Sequence, residues 1–218
     1  MAGKKRSVVR EYVEAALWAL VLTFLLRAVV IQAFRIPSGS MLDTLFVGDF
    51  LFVNKFELGA KIPFTHVRLP GLRAPRTGDI LVFQFPQDPS KDFIKRCIAT
   101  GGQTVEVRHK VVYVDGLPSP AADRLAVHRD PNVMPCSPDA PPYPEDANLR
   151  QCRDEFGPFR VPPDRLFMMG DNREDSNDSR FWGTVPMDYV KGRAVFIYWS
   201  WDGEHFRPRW ERLLRMIH

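Results

Sequence analysis

The pattern of hydrophobic and polar positions divides the chain into an N-terminal apolar run and a longer remainder with a different period. Between Ala15 and Phe34 the polar side chains are limited to Thr23, Arg27 and Gln32. Twenty helical residues span about 30 Å, which matches the hydrocarbon core of a bilayer. The pattern therefore predicts a membrane-spanning helix over residues 15–34.

Basic side chains at positions 4, 5, 6 and 10 precede this run and predict its orientation. Because basic residues beside a span favour the cytoplasm, we expect residues 1–14 there and the body across the membrane. A cleavable signal peptide has the same charge order. Its two candidate cleavage points, after Ala28 and after Ala33, both leave a bulky residue where a small one is needed. An uncleaved anchor is therefore favoured, with an ordinary buried helix as the remaining alternative.

Beyond Phe34 the hydrophobic period becomes that of extended chain, with short runs bounded by Gly, Pro and Asp. The predicted strands are Phe50–Phe56, Asp79–Phe85, Asp92–Thr100, Thr104–Val107, Val111–Val114, Arg165–Met169 and Lys191–Trp201. The short gap Arg108–Lys110 predicts a hairpin. The expected fold class is mostly β: an antiparallel sheet body with an inserted subdomain and one N-terminal transmembrane helix.

A proline-rich segment interrupts the strand pattern. Eleven of the 19 prolines fall between Leu117 and Pro163, too many for the interior of a regular sheet. Cleaner strand patterns flank this segment on both sides. The sequence therefore predicts an inserted β subdomain over residues 103–164, between a first part of the main domain at 35–102 and a second part at 165–218.

Composition and cysteine content set limits on the fold. A chain of 218 residues with 45% hydrophobic side chains can bury its own core, and 3 cysteines exclude a disulfide-packed scaffold. If the body lies outside the cytoplasm, we expect Cys136 and Cys152 to form a local disulfide, worth about 3 kcal/mol in the chain-entropy model. Cys97, within an apolar strand, is expected to be a small buried side chain.

Charge and histidine content argue against two kinds of site. The formal net charge is only +4, and a nucleic-acid module would need clustered cations with interleaved aromatics facing the cytoplasm. The five histidines are scattered, and no CxxC or HExxH motif occurs. We therefore expect no nucleic-acid partner, no metal ion, no cofactor and no His-based triad.

Three stretches carry candidate chemistry. A Ser-Gly-Ser turn at positions 38–40 follows the apolar run, and taken alone it is an ordinary tight turn. In the strand that starts at Asp92, period two places Lys95 on the face of Phe93 and Cys97. A lysine in so apolar a strand is costly unless it is paired or functional. The third stretch, residues 169–180, is rich in charge and would by itself be a solvated loop.

Together these stretches resemble bacterial type I signal peptidases, which are membrane-anchored serine proteases with a Ser/Lys dyad. The resemblance rests on four boxes in the family's order: Pro37-Ser38-Gly39-Ser40-Met41 with Thr44-Leu45, Gly48-Asp49 with Val53-Asn54-Lys55-Phe56, Ile94-Lys95-Arg96, and Gly170-Asp171-Asn172-Arg173 through Ser176 with Asp178-Ser179-Arg180. It covers essentially the whole chain apart from the proline-rich insertion. It implies that the antiparallel sheet is a catalytic domain.

The resemblance also implies roles for particular residues. Ser40 would be the nucleophile and Lys95 the general base. The Ser38 hydroxyl and the Ser40 backbone N–H would form the oxyanion hole, and Ser176 would orient the Lys95 amine. Two further sets are implied: a supporting pair, Asp178 with Arg180, and residues lining shallow pockets for small substrate side chains, Phe34, Ile36, Leu45, Phe93 and Ile94.

Such a dyad requires a lysine with a perturbed pKa. An ordinary lysine, with a pKa of about 10.4, is neutral in only about 0.1% of molecules near pH 7.5. Apolar neighbours disfavour the ammonium and lower the pKa. A pKa of roughly 8, at a cost on the order of 3 kcal/mol, would let Lys95 accept the Ser40 proton.

The resemblance implies removal of N-terminal signal peptides from secreted precursors, at the outer, periplasmic face of the bacterial cytoplasmic membrane. Membrane lipid and the secretion machinery would be further partners. A non-enzymatic, single-pass envelope binding protein is the alternative, but it leaves the Ser-rich turn and the lysine unexplained. The chain departs from the family pattern at Asp43, where proline is common, at Gln103 and at Glu174-Asp175.

Overall fold

The fold is taken from a computed structural model that describes residues 8–29, 31–61, 67–123 and 125–217. Its helices are α1 (Val8–Val29), α2 (Pro120–Asp123) and α3 (Ser179–Trp182), with 3₁₀ turns at Met187–Tyr189 and Trp210–Arg212. Its strands are β1 (Ile31–Arg35), β2 (Asp49–Asn54), β3 (Ile80–Phe85), β4 (Asp88–Thr100), β5 (Thr104–Arg108), β6 (Val111–Val114), β7 (Leu117–Pro118), β8 (Pro142–Tyr143), β9 (Asp146–Arg150), β10 (Phe156–Arg160), β11 (Arg165–Met169), β12 (Val185–Pro186), β13 (Val190–Asp202), β14 (Arg207–Pro208) and β15 (Arg215–Met216). The described chain is therefore mostly β, as its hydrophobic periods predict.

Within the described residues, nine strands form the main sheet, and paired neighbours run antiparallel. The strand order is β1-β2-β13-β3-β4-β11-β12, and β14 and β15 also pair with β13. A strand from the C-terminal part of the chain, β13, thus lies between β2 and β3 from the N-terminal part. The two ends of the sequence share one sheet.

The N-terminal helix ends earlier than the apolar run predicts. α1 stops at Val29, and the following residues form β1, in which Phe34 pairs with Leu51 of β2. Because their backbone groups belong to a sheet ladder, residues 31–34 are strand, which corrects the expected helix end. By length and hydropathy taken together, no helix among the described residues qualifies as a membrane span.

The strand predictions for the main sheet are confirmed with small shifts in their bounds. β11 has the predicted bounds, and β2 ends at Asn54 instead of Phe56. β4 begins at Asp88 because Phe85 already pairs with that residue across a tight turn. The hairpin expected around residues 108–110 joins β5 to β6.

Residues of β4 alternate between two apolar clusters, as period two predicts. Cys97 is buried in one cluster, against which Phe93 packs, and Ile94 packs against the other. Burial raises the pKa of the Cys97 thiol, so this residue is the small buried side chain that the sequence predicts. The clusters give β4 apolar support on both faces next to Lys95.

The segment between β4 and β11 carries sheets of its own. β10, β5, β6 and β7 form a four-stranded sheet, and β8 pairs with β9. Buried residues of this sheet, among them Val105 and Phe156, pack in one cluster with Phe167 of β11. The predicted disulfide joins Cys136 to Cys152, whose Cα atoms are 5.3 Å apart. The segment is thus fixed to the main sheet through a shared apolar core.

Candidate active site

Ser40 lies in a tight turn that follows β1. The Leu42 N–H donates to the Gly39 carbonyl at 3.0 Å, and the Leu45 N–H donates to the Met41 carbonyl at 2.7 Å. Met41 and Leu45 are fully buried in an apolar cluster, whereas Ser40 is only half-buried. The apolar side chains anchor the turn and leave the serine side chain at the surface of a cleft.

The Lys95 amine donates a hydrogen bond to the Ser40 hydroxyl. Lys95 is 4% exposed, and burial, which disfavours the ammonium, lowers its pKa to about 8. Three carboxylates of the loop 171–178 oppose this shift, and Arg180 assists it. With this pKa, about a quarter of the Lys95 side chains are neutral near pH 7.5 and have a lone pair able to accept a proton.

A cleft of about 350 Å³ contains this pair. It is lined by the turn at residues 37–40, by residues 92–95 of β4, and by Asp175 and Asn177. The cleft therefore brings together Ser40, Lys95 and the exposed Ser38, as the resemblance implies.

The expected pocket residues divide into two sets. Phe93 and Ile94 line the cleft. Ile36 and Leu45 are instead buried in the apolar cluster against which Phe34 and Ile94 pack. These three residues, Phe34, Ile36 and Leu45, therefore support the cleft from the adjoining core and do not line it.

Ser176 does not form the hydrogen bond to Lys95 that the resemblance implies. Its hydroxyl is buried against Gly170 and has no hydrogen-bond partner of good geometry among the described residues. The Lys95 amine is directed at Ser40 instead. The structure thus places Ser176 between the cleft residues Asp175 and Asn177, with its hydroxyl near the Asp178 carboxylate and not on Lys95.

Asp178 and Arg180 form a buried, two-pronged ion pair. Arg180 Nε lies 2.9 Å from Asp178 Oδ1, and Nη2 lies 2.8 Å from Oδ2. Burial alone would raise the pKa of Asp178, but Arg180 and the nearby Ser176 hydroxyl hold it below its usual value. Asp178 also accepts from the Gly170 N–H at 3.1 Å, and Arg180 Nη1 donates to the Arg153 carbonyl at 2.6 Å. The pair therefore ties the loop after β11 to the insertion.

Asp171 is a site residue whose contacts the sequence did not predict. Both of its carboxylate oxygens accept from Arg96, each at 2.7 Å, and Oδ2 also accepts from the Thr44 hydroxyl at 2.6 Å. Asp171 and Arg96 are almost completely buried. They connect β4 to the turn that carries Ser40. Both residues belong to the four motifs on which the resemblance rests. Membership of a motif does not indicate that Asp171 and Arg96 pair with each other.

Gly170 and Asn172 hold the same turn from the backbone side. The Asn172 N–H donates to the Ser40 carbonyl at 3.2 Å, and its side-chain amide donates to the Gly39 carbonyl at 3.1 Å. A Cβ atom at position 170 would lie 2.4 Å from the Ser40 carbonyl oxygen. Only glycine allows this approach, so the loop after β11 fixes the position of the Ser40 backbone.

Asp43 has a local conformation that explains one departure from the family pattern. Its φ is +59°, whereas the ring of proline fixes φ near −65°. Its exposed carboxylate lies 3.2 Å from the guanidinium of Arg129 in the insertion. This turn therefore excludes proline at position 43 and uses the aspartate as a contact with the insertion.

Comparisons with known proteins give the family of the chain. The family described as "Signal peptidase, peptidase S26" matches residues 9–199. The "Signal peptidase I" of Pseudomonas aeruginosa is 34% identical, over 90% of this chain and 75% of that protein. The "Signal peptidase I" of Aquifex aeolicus is 33% identical, over 88% of this chain and 84% of that protein. A crystal structure of a signal peptidase I from Enterococcus faecalis is 28% identical, covers 56% of this chain and 97% of that chain, and has a TM-score of 0.38.

The family match and these relatives define the class of protein: the chain is a serine endopeptidase. It belongs to the signal peptidase family, peptidase S26.

Proposed function

We propose that this protein removes N-terminal signal peptides from secreted precursor proteins, with Ser40 as nucleophile and Lys95 as general base. The observation that carries the proposal is the hydrogen bond between the Lys95 amine and the Ser40 hydroxyl inside the cleft. The relatives named signal peptidase I support the choice of substrate. A binding protein without activity is set aside because the family is one of peptidases.

The dyad supplies each proton transfer that peptide hydrolysis needs. Neutral Lys95 takes the proton of Ser40 while the serine oxygen attacks the scissile carbonyl. The resulting ammonium donates that proton to the leaving amine as the peptide bond breaks. The amine then takes a proton from water, whose oxygen attacks the acyl carbon. As the ester bond to Ser40 breaks, the Lys95 ammonium returns that proton to Ser40 Oγ, and the acid product leaves.

The oxyanion that forms in these steps needs donors in the cleft. The Ser40 N–H donates to no group among the described residues, and the Ser38 side chain is exposed in the cleft on the same turn. Both donors are therefore available to a substrate oxygen. One such donor is worth about 3 kcal/mol in comparable acyl-transfer sites.

Ser176, Asp178 and Arg180 are proposed as positioning residues. The ion pair ties the loop to the insertion, and the buried Ser176 hydroxyl lies near the Asp178 carboxylate, next to the cleft residues Asp175 and Asn177. During turnover this hydroxyl would orient the Lys95 amine when the amine leaves Ser40. Phe93 and Ile94 would contact the small side chains of the substrate, backed by Phe34, Ile36 and Leu45.

The N-terminal segment is proposed as the membrane anchor, with the catalytic domain on the outer face of the bacterial cytoplasmic membrane. Large apolar side chains of α1 are exposed: Trp18 by 74%, Leu20 by 67% and Leu22 by 59%. Such a surface favours contact with lipid. We expect the full chain to stay with membranes after alkaline extraction, and its release into the supernatant would contradict the anchor.

The dyad is tested with the purified full chain and a fluorogenic signal-peptide substrate. Ser40→Ala and Lys95→Ala should each lower kcat by about 10³-fold or more. The first removes the oxygen that attacks the scissile carbonyl, and the second removes the amine that accepts the proton of that oxygen. Ser90→Ala and Lys91→Ala, exposed positions at the start of the same strand β4, are matched controls that should retain activity. Cleavage by either dyad variant at the control rate would overturn the mechanism.

A further inference from the structure

The loop from residue 171 to residue 178 contains four carboxylates with different surroundings. Asp171 is held by Arg96, and Asp178 by Arg180. Glu174 accepts from Lys110 Nζ at 2.6 Å and from two backbone N–H groups of the insertion. Asp175 has no cationic partner among the described residues, and its side chain is exposed.

Asp175 also differs from the other carboxylate that lines the cleft. Asp92 lies 2.7 Å from the ammonium of Lys191, so its charge is already compensated. Lys95 directs its amine at Ser40 and forms no ion pair with Asp175 among the described contacts. Asp175 is therefore the carboxylate lining the cleft that has no ion pair among the described residues, and it acts on Lys95 only from a distance.

The backbone at Asp175 is held in place by its neighbours. Its N–H donates to the Asn172 carbonyl at 3.2 Å, and the next residue, Ser176, is buried. Glu174 fixes the preceding position to the insertion. A charged side chain on a supported loop loses little conformational entropy when a partner binds. It is therefore better suited to recognition than a charge on a mobile surface segment.

We propose that Asp175 is a specificity-determining residue that favours substrates with a lysine or arginine side chain beside the scissile bond. The inference rests on the proposed function, since it assumes that peptides bind along this cleft. We expect a preference of about 3-fold, which corresponds to about 0.7 kcal/mol and lies within the range of an exposed ion pair.

The test measures kcat/KM for signal-peptide substrates that carry Lys, Ala or Glu at one position at a time on either side of the scissile bond. The assays are run at about pH 9, where Lys95 is mostly neutral and a substrate lysine is still charged. The wild-type chain should favour Lys over Glu about 3-fold or more at one position. Asp175→Asn should abolish that preference, and Asp175→Lys should reverse it.

Asp43→Asn is the matched control. Asp43 is an exposed aspartate three residues from Ser40, but it does not line the cleft, and asparagine tolerates its positive φ. The control should keep the wild-type ratio of Lys to Glu peptides. Equal ratios in the wild type, Asp175→Asn and Asp175→Lys, or an equal change in Asp43→Asn, would overturn the inference. Failure of the wild type to cleave even the Ala peptide would instead overturn the proposed function.

Discussion

Lys95 and Arg96 are neighbours on β4 and lie equally deep, with 4% and 2% of their surface exposed, but their charges meet different surroundings. Arg96 donates to both oxygens of Asp171, each at 2.7 Å. Lys95 donates to a neutral hydroxyl, that of Ser40. Carboxylates act on Lys95 only from a distance, and burial still lowers its pKa to about 8.

This contrast separates a structural cation from a reactive one. A buried charge is tolerated where a carboxylate compensates the loss of water, and otherwise the group shifts towards its neutral form. Arginine is suited to the first position because its planar guanidinium binds both carboxylate oxygens at once. Lysine is suited to the second because it releases its proton when it is desolvated.

The largest expected effect is a loss of stability when the buried ion pair between Arg96 and Asp171, here called the clamp, is broken. Arg96→Met leaves the Asp171 carboxylate buried without its cation and should reduce the free energy of unfolding by about 3–5 kcal/mol. Urea denaturation followed by fluorescence measures the change.

The control for this variant is Arg108→Met, which removes an exposed arginine paired with Glu106 and should cost less than about 1 kcal/mol. The double variant Arg96→Met, Asp171→Leu should recover part of the loss, because it leaves no unpaired charge. Equal stabilities of Arg96→Met and Arg108→Met would contradict the clamp.

Lys95→Met is expected to change the free energy of unfolding by a smaller amount and in the opposite direction, towards greater stability. The pKa of Lys95 is about 8 when folded and 10.5 ordinarily, so the unfolded chain binds more protons between these values and stability rises with pH there. Below about pH 8 the lysine therefore costs up to about 3 kcal/mol, which methionine removes.

Lys95→Met should thus be more stable than the wild type at pH 7, and the difference should shrink between about pH 8 and pH 10.5. Thermal unfolding of both proteins across this range measures it. A gap that is constant with pH would mean that Lys95 has the same pKa in the folded and unfolded chain.

The smallest expected effect is the dependence of the wild-type rate on pH. Because only neutral Lys95 accepts the serine proton, kcat/KM should rise about tenfold per pH unit below about pH 8 and level off above it. Initial rates from pH 6 to pH 9 provide the profile. A flat profile over that range would show that a group other than Lys95 limits the reaction.

Sequence reasoning succeeded where the structure depends on local periodicity. The bounds of β11, the hairpin between β5 and β6, and the alternation of Phe93 and Ile94 all follow from neighbouring side chains that share a face. The resemblance to a family gave the pair of Ser40 and Lys95, which are 55 residues apart and have no local signal in common.

Contacts between distant segments were beyond this kind of prediction. The insertion of β13 between β2 and β3, and the clamp between Arg96 and Asp171, depend on which strands pair, and periodicity does not specify a partner. The end of α1 at Val29 was missed for the same reason, because pairing with β2 decides it. The role of Ser176 in orienting the Lys95 amine stays a prediction.

The arginines of the loop after β11 have a consequence for protein engineering. Arg180 donates to the backbone carbonyl of Arg153, and Arg173 donates to that of Ala122, so both arginines use oxygens that belong to the insertion. A shortened enzyme without that segment would lose these acceptors, while Arg180 would keep Asp178 and Arg173 would keep the Gly170 carbonyl. Any trimmed or grafted version of this peptidase therefore has to provide two substitute oxygens at those points, because removing Arg180 instead would leave the buried Asp178 carboxylate without its cation.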